Sequence, residues 1–537
     1  MAAAQGAGTA EHEAEVKFWG PGQDVLSPRG PARAHLSLVI CGHVDSGKST
    51  TTARLIFELG GLPERELAEL RAEATALGKA SFAFAFFMDR QRDERERGLT
   101  ISCTTKEFFT ENWHYTVIDA PGHRGFIKNT ISGAAQADVA LLMVPADGNF
   151  AAAVQRGSHR AGQPEGQTRQ HARLLRLLGV RQLVVGVNKM DTGEAGPYSQ
   201  ARFEEVRDEV RGMLAEVGWG RDQISGGVPV VPISGWAGDN LLSPSPAMPW
   251  WRGQDVRRAN GSSVRVSTLR DALDGFVVAP DRCSGAPLRM PVSGVIRVRG
   301  VGIVVTGRVE QGSVSPPQRV AFVPTHAPPL PCEGTVFTVE MHHQPHPRAG
   351  PGDVVGVNVR DLPRGRLPRA GDVMVEAGDA SLGGCERFVA QVQTLEVPRE
   401  LRVGYTPVGF VRTGRSACRL EGIAWKVGPE TGGRRVERPR CLRSGEVAEC
   451  TFAPLQPLVV ESFASCEGLG RVAFLDGDAA VMLGRVIGVA PAPAPAPGPS
   501  GAEAPLSGGG RHPPRGARPP GAQFAADPTP PRGGHVP

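Results

Sequence analysis

Eight consecutive residues carry the clearest chemistry in this sequence. Residues 42–49 read GHVDSGKS and fit the pattern G-x-x-x-x-G-K-[ST], whose glycines let backbone N–H groups turn onto phosphate oxygens. In this pattern Lys48 reaches the β- and γ-phosphates, and the hydroxyl of Ser49 holds Mg²⁺. The predicted phosphate-binding residues are Gly42, His43, Val44, Asp45, Ser46, Gly47, Lys48, Ser49 and Thr50. The sequence therefore predicts a bound nucleoside triphosphate with Mg²⁺ on Ser49.

The elements on either side of this loop are those that a phosphate site needs. Residues 36–41 form a short, mostly apolar run that is typical of a buried strand. Residues 49–59 place Leu55, Ile56 and Leu59 at helical spacing, and two glycines then end the helix. A strand, a loop and a helix in this order bring the positive end of the helix to the phosphates.

Three further motifs follow in chain order, each directly after an apolar, strand-like run. Residues 119–122 read DAPG, in which the carboxylate can hold Mg²⁺ through water and the glycine N–H can sense the γ-phosphate. Residues 188–191 read NKMD, and residues 234–236 read SGW. The binding residues predicted from these motifs are Asp119, Gly122, Asn188, Lys189, Asp191, Ser234, Gly235 and Trp236. Because ligands of open α/β sheets bind at the carboxyl ends of the strands, all four motifs are expected at one site.

The last two motifs identify the base as guanine. The Asp191 carboxylate can accept both N–H groups of guanine's Watson–Crick edge, a pattern that adenine cannot donate. The backbone of residues 234–236 could contact guanine O6. GTP and Mg²⁺ are therefore the predicted cofactors.

With these motifs in place, the chain resembles the translational GTPases and, within them, elongation factor 1-alpha. Residues 93–101, DERERGLTI, resemble the first switch of that family, and residues 120–124, APGHR, resemble the second. The elongation-factor-like branch, the alternative to elongation factor 1-alpha in some algae and protists, is more similar still. The segments that resemble the sequences of this branch are residues 81–90, 143–150, 248–251 and 339–343. The resemblance runs from about residue 36 to about residue 489.

The resemblance implies roles for further residues near the γ-phosphate. Thr100 would join Ser49 on Mg²⁺ and close when the γ-phosphate is present. Val44 and Leu99 would form an apolar gate beside the attacking water. His123 would swing in to position that water, and it is therefore the predicted catalytic residue.

The function that the resemblance implies is delivery of aminoacyl-tRNA to the ribosomal A site, with ribosome-stimulated GTP hydrolysis in the cytoplasm. The expected partners are aminoacyl-tRNA, the ribosome and a guanine nucleotide exchange factor. Two alternatives stay open. One is a related translational GTPase of termination, ribosome rescue or sulfate activation, and the other is a divergent copy with reduced or lost turnover.

The family's pattern is broken at four places. Gly125 stands where an aspartate is usual, Ala53 replaces a usual glycine, and Thr130 replaces a usual methionine. Pro317 ends a Ser-Pro-Pro turn where the family has Lys-Pro-Gly, and proline cannot adopt the positive φ of glycine. These departures leave nucleotide binding intact and bear on the coupling of the second switch and on the stability of the first barrel.

Composition excludes several classes of protein. The 537 residues carry a net charge of +5 and a pI near 8.8, which permits contact with nucleic acid without requiring it. Nine cysteines lie scattered with no C-x-x-C pair, so free thiols are expected rather than disulfides or zinc. No apolar run approaches ~18 residues, so no membrane span is expected.

The predicted fold is an α/β phosphate-loop GTPase domain with a mostly parallel sheet, followed by two β-barrels. Residues 1–34 read as a flexible extension, and residues 35–282 as the GTPase domain. Residues 283–380 and 381–490 are strand-rich, and the resemblance implies that each forms a barrel. Residues 491–537 are rich in Pro, Gly and Ala and are predicted to be a disordered tail.

Helical composition and periodicity predict further helices in the GTPase domain, at residues 64–80, 170–178, 201–217 and 268–276. An aromatic cluster follows the first of them and consists of Phe82, Phe84, Phe86 and Phe87. Such a cluster could stack on RNA, but packing in the core is the stronger interpretation.

Overall fold

The computed structural model describes residues 33–492 except 90–93, 96–99, 101–103, 124–126, 135, 158–164, 193–195, 326–331, 342–343, 396, 398–399 and 478. These residues fall within one compact unit, Met1–Ala494. Several sequence predictions concern residues outside this description: the N-terminal extension up to residue 32, most of the first switch with Leu99, the altered position Gly125, and the tail from residue 493.

In the described chain, six strands form the first sheet. They are β1 (Ala34–Gly42), β2 (Thr104–Phe109), β3 (Trp113–Asp119), β4 (Val139–Pro145), β5 (Gln182–Asn188) and β6 (Val230–Pro232). Their order is β2-β3-β1-β4-β5-β6, and every neighbouring pair is parallel except β2 with β3. The central strands β4 and β5 are buried along their whole length, which explains their nearly continuous apolar sequences. The prediction of a mostly parallel sheet is confirmed.

Helices cover both faces of this sheet. They are α1 (Lys48–Glu58), α2 (Glu64–Ala76), α3 (Ala85–Met88), α4 (Ile127–Ala134), α5 (Phe150–Val154), α6 (Gln167–Leu178), α7 (Gln200–Glu216) and α8 (Arg221–Gly227). Alternate residues of β1 enter two different cores, since Leu38 packs with residues of α1 to α3 and Val39 with residues of α5 to α8. The first of these cores also contains Phe84, Phe86 and Phe87, so the core interpretation of the aromatic cluster is confirmed.

Two predicted helices differ from the observed ones in ways that matter. The helix predicted over residues 170–178 begins three residues earlier, at Gln167, because Gly166 marks the N-terminal boundary there. The helix predicted over residues 268–276 is a short π-helical segment, Asp271–Phe276. It follows a hairpin of β7 (Gln254–Arg257) and β8 (Ser263–Val266). Three-residue 3₁₀ segments occur at Ala80–Phe82, Met190–Thr192 and Pro429–Thr431.

The next sheet closes into a barrel. Its strands are β9 (Met290–Val298), β10 (Gly302–Arg308), β11 (Arg319–Val323), β12 (Cys332–Met341), β13 (Gln344–His346), β14 (Val354–Arg360) and β15 (Val373–Glu376). The order is β11-β15-β9-β10-β14-β12-β13, and β11 also pairs with β12, so six strands close the ring and β13 extends it. The turn with Pro317 is closed by the Gln318 N–H, which donates to Ser315 O at 3.0 Å. The substituted turn therefore still forms a hydrogen-bonded reversal.

A second barrel follows. Its sheet and the small pair beside it comprise β16 (Cys385–Thr394), β17 (Leu401–Arg402), β18 (Val408–Val411), β19 (Gly414–Val427), β20 (Val436–Glu437), β21 (Cys441–Leu442), β22 (Val447–Pro454), β23 (Arg471–Asp476) and β24 (Ala479–Pro491). The ring β18-β23-β24-β16-β22-β19 closes through the pairing of β18 with β19. Stacked rings of Phe388, Phe452 and Phe474 fill its interior.

The last strand of this barrel reaches the first residue of the predicted tail. Pro491 is the last residue of β24 and pairs with Cys385, and the Ala492 N–H donates to Gly384 O at 2.9 Å. The strand continues to this point because its carbonyl and N–H groups still face a neighbouring strand. The composition of residues 491–492, which resembles the tail, gave no sign of this pairing.

A buried ionic network joins the first sheet to both barrels. Asp138, which precedes β4, contacts Arg308 of β10 at 2.6 Å and Arg282 at 3.2 Å. Glu310 continues the network to Arg412, between β18 and β19, at 2.7 Å. These side chains are at most 22% exposed, so removing one partner would leave the buried charges of the network less well compensated.

Helix α6 makes a second contact with the last barrel. Leu174 of α6 packs in one cluster with Leu475 and Leu483, and Arg471 donates to Leu177 O at 3.1 Å. Among the described residues, no helix combines the length and the apolar character needed to cross a bilayer.

Candidate nucleotide site

The phosphate loop lies between the end of β1 and the start of α1. Gly47 takes the cap position of α1 with φ 83°, and a Cβ there would lie 2.3 Å from Asn188 Nδ2. Only glycine combines this left-handed backbone with so close an approach. Lys48 is 6% exposed, and its Nζ donates to His43 O at 2.8 Å. The glycine at the cap and the hydrogen bond of Lys48 to the loop backbone therefore fix the shape of the loop at the start of α1.

A cavity of about 680 Å³ opens over this loop, beside residues that follow β3, β4 and β5. The predicted site residues that line it are Val44, Asp45, Gly47, Lys48, Ser49, Thr50, Thr100, Gly122, His123, Asn188, Lys189, Asp191 and Trp236. The predicted residues that do not line it are Gly42, His43, Ser46, Asp119, Ser234 and Gly235. Motifs up to 190 residues apart thus converge on one cavity, as expected for an open α/β sheet.

At the base end, Asn188 connects two of the motifs. Its Nδ2 donates to Ser46 O, and its Oδ1 accepts the Gly235 N–H, both at 2.8 Å. Asn188 is 3% exposed, so both hydrogen bonds are shielded from solvent. The asparagine side chain therefore holds the phosphate loop and the 234–236 loop in register.

The backbone N–H groups of the 234–236 loop are only partly used in hydrogen bonds within the protein. The Gly235 N–H is used by Asn188, and the Ala237 N–H donates to Ser234 Oγ at 3.0 Å. Among the described residues, the N–H of Trp236 has no acceptor, whereas its carbonyl accepts from Arg54 at 3.2 Å. This geometry favours the Trp236 N–H as the group that could reach guanine O6.

At the opposite end, two hydroxyls meet. The Ser49 and Thr100 oxygens lie 3.2 Å apart, Ser49 donates to Asp119 Oδ2 at 2.6 Å, and Thr100 donates to Asp89 Oδ1 at 3.0 Å. The Oδ1 atom of Asp119 is buried and has no hydrogen-bond partner within the described residues. Hydroxyl and carboxylate oxygens are the ligand types that Mg²⁺ prefers. Ser49 and Thr100 thus fit an Mg²⁺ ion, with Asp119 behind them.

Burial outweighs the partial compensation of the charged groups at this end. Burial, followed by the nearby Asp119, raises the pKa of Asp89 to about 7. Burial also raises the pKa of Asp119 to about 6, against the opposing effects of the Ser49 hydrogen bond and of Lys48. Burial lowers the pKa of the Lys48 ammonium. A divalent cation and phosphate oxygens would supply the opposite charges that these groups lack.

His123 is exposed on the cavity wall beside Gly122 and Val44. A Cβ on Gly122 would lie 2.5 Å from Lys48 Nζ, so glycine is needed for this segment to approach the loop. The predicted catalytic residue and the predicted γ-phosphate sensor therefore share a wall with the phosphate loop. Leu99, the other half of the predicted gate, lies outside the described residues.

Sequence reasoning missed several residues of the site. Asp89, Asp147 and Asn149 line the cavity, and Asp147 Oδ2 accepts from Lys189 Nζ at 2.8 Å. The place of Asp147 and Asn149 in the sequence could have indicated their role, because both closely follow β4 and ligand-binding residues of such sheets lie at the ends of strands. Asp89 could be found only from the fold, since it belongs to an irregular segment after α3.

Two family models match the chain. The elongation factor Tu GTP binding domain matches residues 33–278, and the GTP-eEF1A C-terminal domain-like family matches residues 387–487. Together these matches cover well over half of the sequence and include all of the predicted nucleotide-binding motifs.

Solved structures share the fold. The Ski7 GTPase-like domain of S. cerevisiae bound to GTP is 15% identical with a TM-score of 0.67, over 84% of this chain and 97% of that one. Elongation factor SelB of Methanococcus maripaludis with the GTP analogue GppNHp is 18% identical with a TM-score of 0.57, over 86% and 81%. Sup35 complexed with GMPPNP is 24% identical with a TM-score of 0.36, over 85% of this chain and 95% of that one.

Proposed function

We propose that this chain, which belongs to the translational GTPase family, carries aminoacyl-tRNA to the ribosomal A site in a GTP-dependent manner. The chain is a GTPase that uses GTP with Mg²⁺. The observation that supports the finer role is the pairing, in one chain, of an elongation factor Tu-type nucleotide domain with an eEF1A-type last barrel. A cytoplasmic location and a guanine nucleotide exchange factor belong to the same proposal.

In the proposed cycle, nucleotide binding neutralises the phosphate end of the site. Ser49 and Thr100 are the residues that would hold an Mg²⁺ ion, which would supply positive charge beside the phosphate oxygens. Lys48 and the N–H groups at the start of α1 bind phosphate oxygens, because the first N–H groups of a helix have no intrahelical acceptor. Since Thr100 belongs to the first switch, its engagement couples the γ-phosphate to the conformation of that segment.

His123 is proposed to position the water that attacks the γ-phosphate. It lies on the cavity wall beside Gly122, while the guanine and phosphate contacts are proposed for Asp191, Lys48 and Ser49, which line the same cavity. Phosphoryl transfer needs positioning and charge stabilisation more than covalent chemistry, so a correctly placed imidazole is sufficient for this role.

The proposed place for the tRNA acceptor end is between the GTPase domain and the first barrel. The buried contacts of Asp138 with Arg308 and Arg282 hold the sheet and β10 against each other at the amino end of β4. Contacts with tRNA phosphates would make binding weaken as the salt concentration rises.

Aminoacyl-tRNA protection tests the proposal. The protein, loaded with GTP or with GDP, is mixed with aminoacylated tRNA, and spontaneous hydrolysis of the ester bond is followed. We expect protection with GTP, little with GDP, and no competition from deacylated tRNA. Equal binding of both tRNAs, or none, would contradict the carrier role and favour a sister GTPase of termination, rescue or sulfate activation. Protection without ribosome-stimulated hydrolysis would instead favour a copy with reduced turnover.

A further inference from the structure

Helix α6 lies behind the phosphate loop and directs two buried side chains at its backbone. Gln167 Oε1 accepts the Val44 N–H at 3.0 Å, and His171 Nδ1 accepts the Gly42 N–H at 3.1 Å. Gln167 is 6% exposed and His171 is 3% exposed. Because side chains four residues apart lie on one face of a helix, a single turn of α6 presents both acceptors.

The chemistry of His171 agrees with this contact. Burial, followed by the charge of Lys48 and the ring of His43, lowers the pKa of His171 to about 3, although the Gly42 contact opposes the shift. The imidazole is therefore neutral at physiological pH, and its Nδ1 lone pair is available as an acceptor while the proton resides on Nε2. A protonated ring could not accept the Gly42 N–H.

These two bonds divide the N–H groups of the loop into two sets. Those of Gly42 and Val44 point back to α6, and the Ser46 N–H closes a turn onto His43 O at 3.2 Å. The N–H groups at the start of α1 have no intrahelical acceptor and remain for phosphate oxygens. By holding the N–H groups of Gly42 and Val44, α6 thus fixes the direction in which the N–H groups at the start of α1 point.

We propose that Gln167 and His171 are positioning residues of the nucleotide site, which hold the first half of the phosphate loop in its nucleotide-binding conformation. Neither residue lines the cavity, and each already uses its acceptor atom on the backbone of the loop. Without them, two N–H groups would be left unsatisfied at the back of the loop, and the loop could regain bonds only by turning inward. The proposal rests on nucleotide binding alone and does not depend on the role as a tRNA carrier.

Nucleotide dissociation from the full chain tests this proposal. The variants are His171→Leu and Gln167→Leu, which remove the acceptors, and His171→Asn, whose amide oxygen can take the place of Nδ1. Gln170→Leu is the matched control, since Gln170 lies on the same helix, is partly exposed and does not line the cavity. Release of a fluorescent GDP is followed by stopped flow at saturating Mg²⁺, and the melting temperature of each protein is measured without nucleotide.

We expect His171→Leu and Gln167→Leu to release GDP roughly tenfold to a hundredfold faster, the equivalent of one unsatisfied buried group. His171→Asn should release GDP at a rate close to that of the wild type, and Gln170→Leu should release it at the wild-type rate. Wild-type release rates in both leucine variants would overturn the proposal. It would also be overturned if His171→Asn released GDP as fast as His171→Leu, because His171 would then act through packing and not as a hydrogen-bond acceptor. Should His171→Leu fail to fold, Gln167→Leu against Gln170→Leu decides the question.

Discussion

The two ends of the nucleotide site differ in how far their polar and charged side chains are already paired within the protein. At the base end, Asn188 uses both its oxygen and its nitrogen in hydrogen bonds, and Lys189 is paired with Asp147 at 2.8 Å. At the phosphate end, Asp89 and Asp119 are buried carboxylates with raised pKa values, and Asp119 Oδ1 has no partner within the described residues.

This difference suits one end of the site to recognition of the base and the other end to the response to the γ-phosphate. A base end whose Asn188 and Lys189 side chains are already paired changes little when guanine enters, so it can select the base at low reorganisation cost. A phosphate end with uncompensated charge gains most from its ligand, and it therefore responds most strongly to the loss of one phosphate. Substitutions at the two ends should accordingly affect different measurements.

The largest effect is expected at the phosphate end, from His123→Ala. Ribosome-stimulated GTP hydrolysis should fall by roughly 10³-fold or more, because a water-positioning group is lost. The affinities for GTP and aminoacyl-tRNA should not change, since His123 lies on the cavity wall and outside the phosphate loop. Single-turnover hydrolysis on programmed ribosomes measures the first, and equilibrium binding measures the second.

Equal hydrolysis rates in wild type and His123→Ala would remove His123 from the mechanism. Two equally slow rates would instead favour the alternative of a copy with reduced turnover. In that case Gly125→Asp, which restores the residue that the family usually carries, is the variant to test.

An effect of intermediate size is expected at the base end, from Asp191→Asn. An amide cannot accept both N–H groups of guanine, so affinity for GTP should fall by about 100-fold and affinity for xanthosine triphosphate should rise. Competition between fluorescent GTP and each unlabelled nucleotide measures this, with Asp222→Asn on α8 as the control for an exposed aspartate. Wild-type GTP affinity in Asp191→Asn would show that another group reads the base.

The smallest effect, and one of opposite sign, is expected from Asp89→Asn without nucleotide and with Mg²⁺ chelated. The pKa of Asp89 is raised to about 7 in the folded protein, so its stabilising contribution is fully present below the unfolded pKa and is lost as pH rises through about 7. The amide removes this loss, so the variant should be more stable than the wild type at high pH, and the difference in the free energy of unfolding should shrink toward acidic pH.

Denaturant unfolding at a series of pH values measures that difference. Asp119 titrates in both proteins, so the comparison of the two isolates the contribution of Asp89. A variant less stable than the wild type at high pH would show that the Asp89 carboxylate is compensated, and the contrast between the two ends would then not hold.

Much of the fold could be predicted from the sequence because it is encoded locally. The apolar runs of β4 and β5 indicate strands buried on both faces, and their polar ends indicate where ligands bind. The phosphate loop was recognisable because backbone that approaches phosphate requires glycine at set positions, as Gly47 shows. The continuation of β24 to Pro491 was not, because only a neighbouring strand reveals it.

By itself, therefore, the sequence determined the nucleotide, the order of the motifs and the class of fold, since each depends on residue types at short spacing. Only the tertiary structure decided that Gln167 reaches Val44 across 123 residues and that Asp89 stands beside Thr100. It also decided which charges are buried, and so which pKa values shift. Hydrogen-bond partners and burial depend on what packs around a group, and no local pattern records those neighbours.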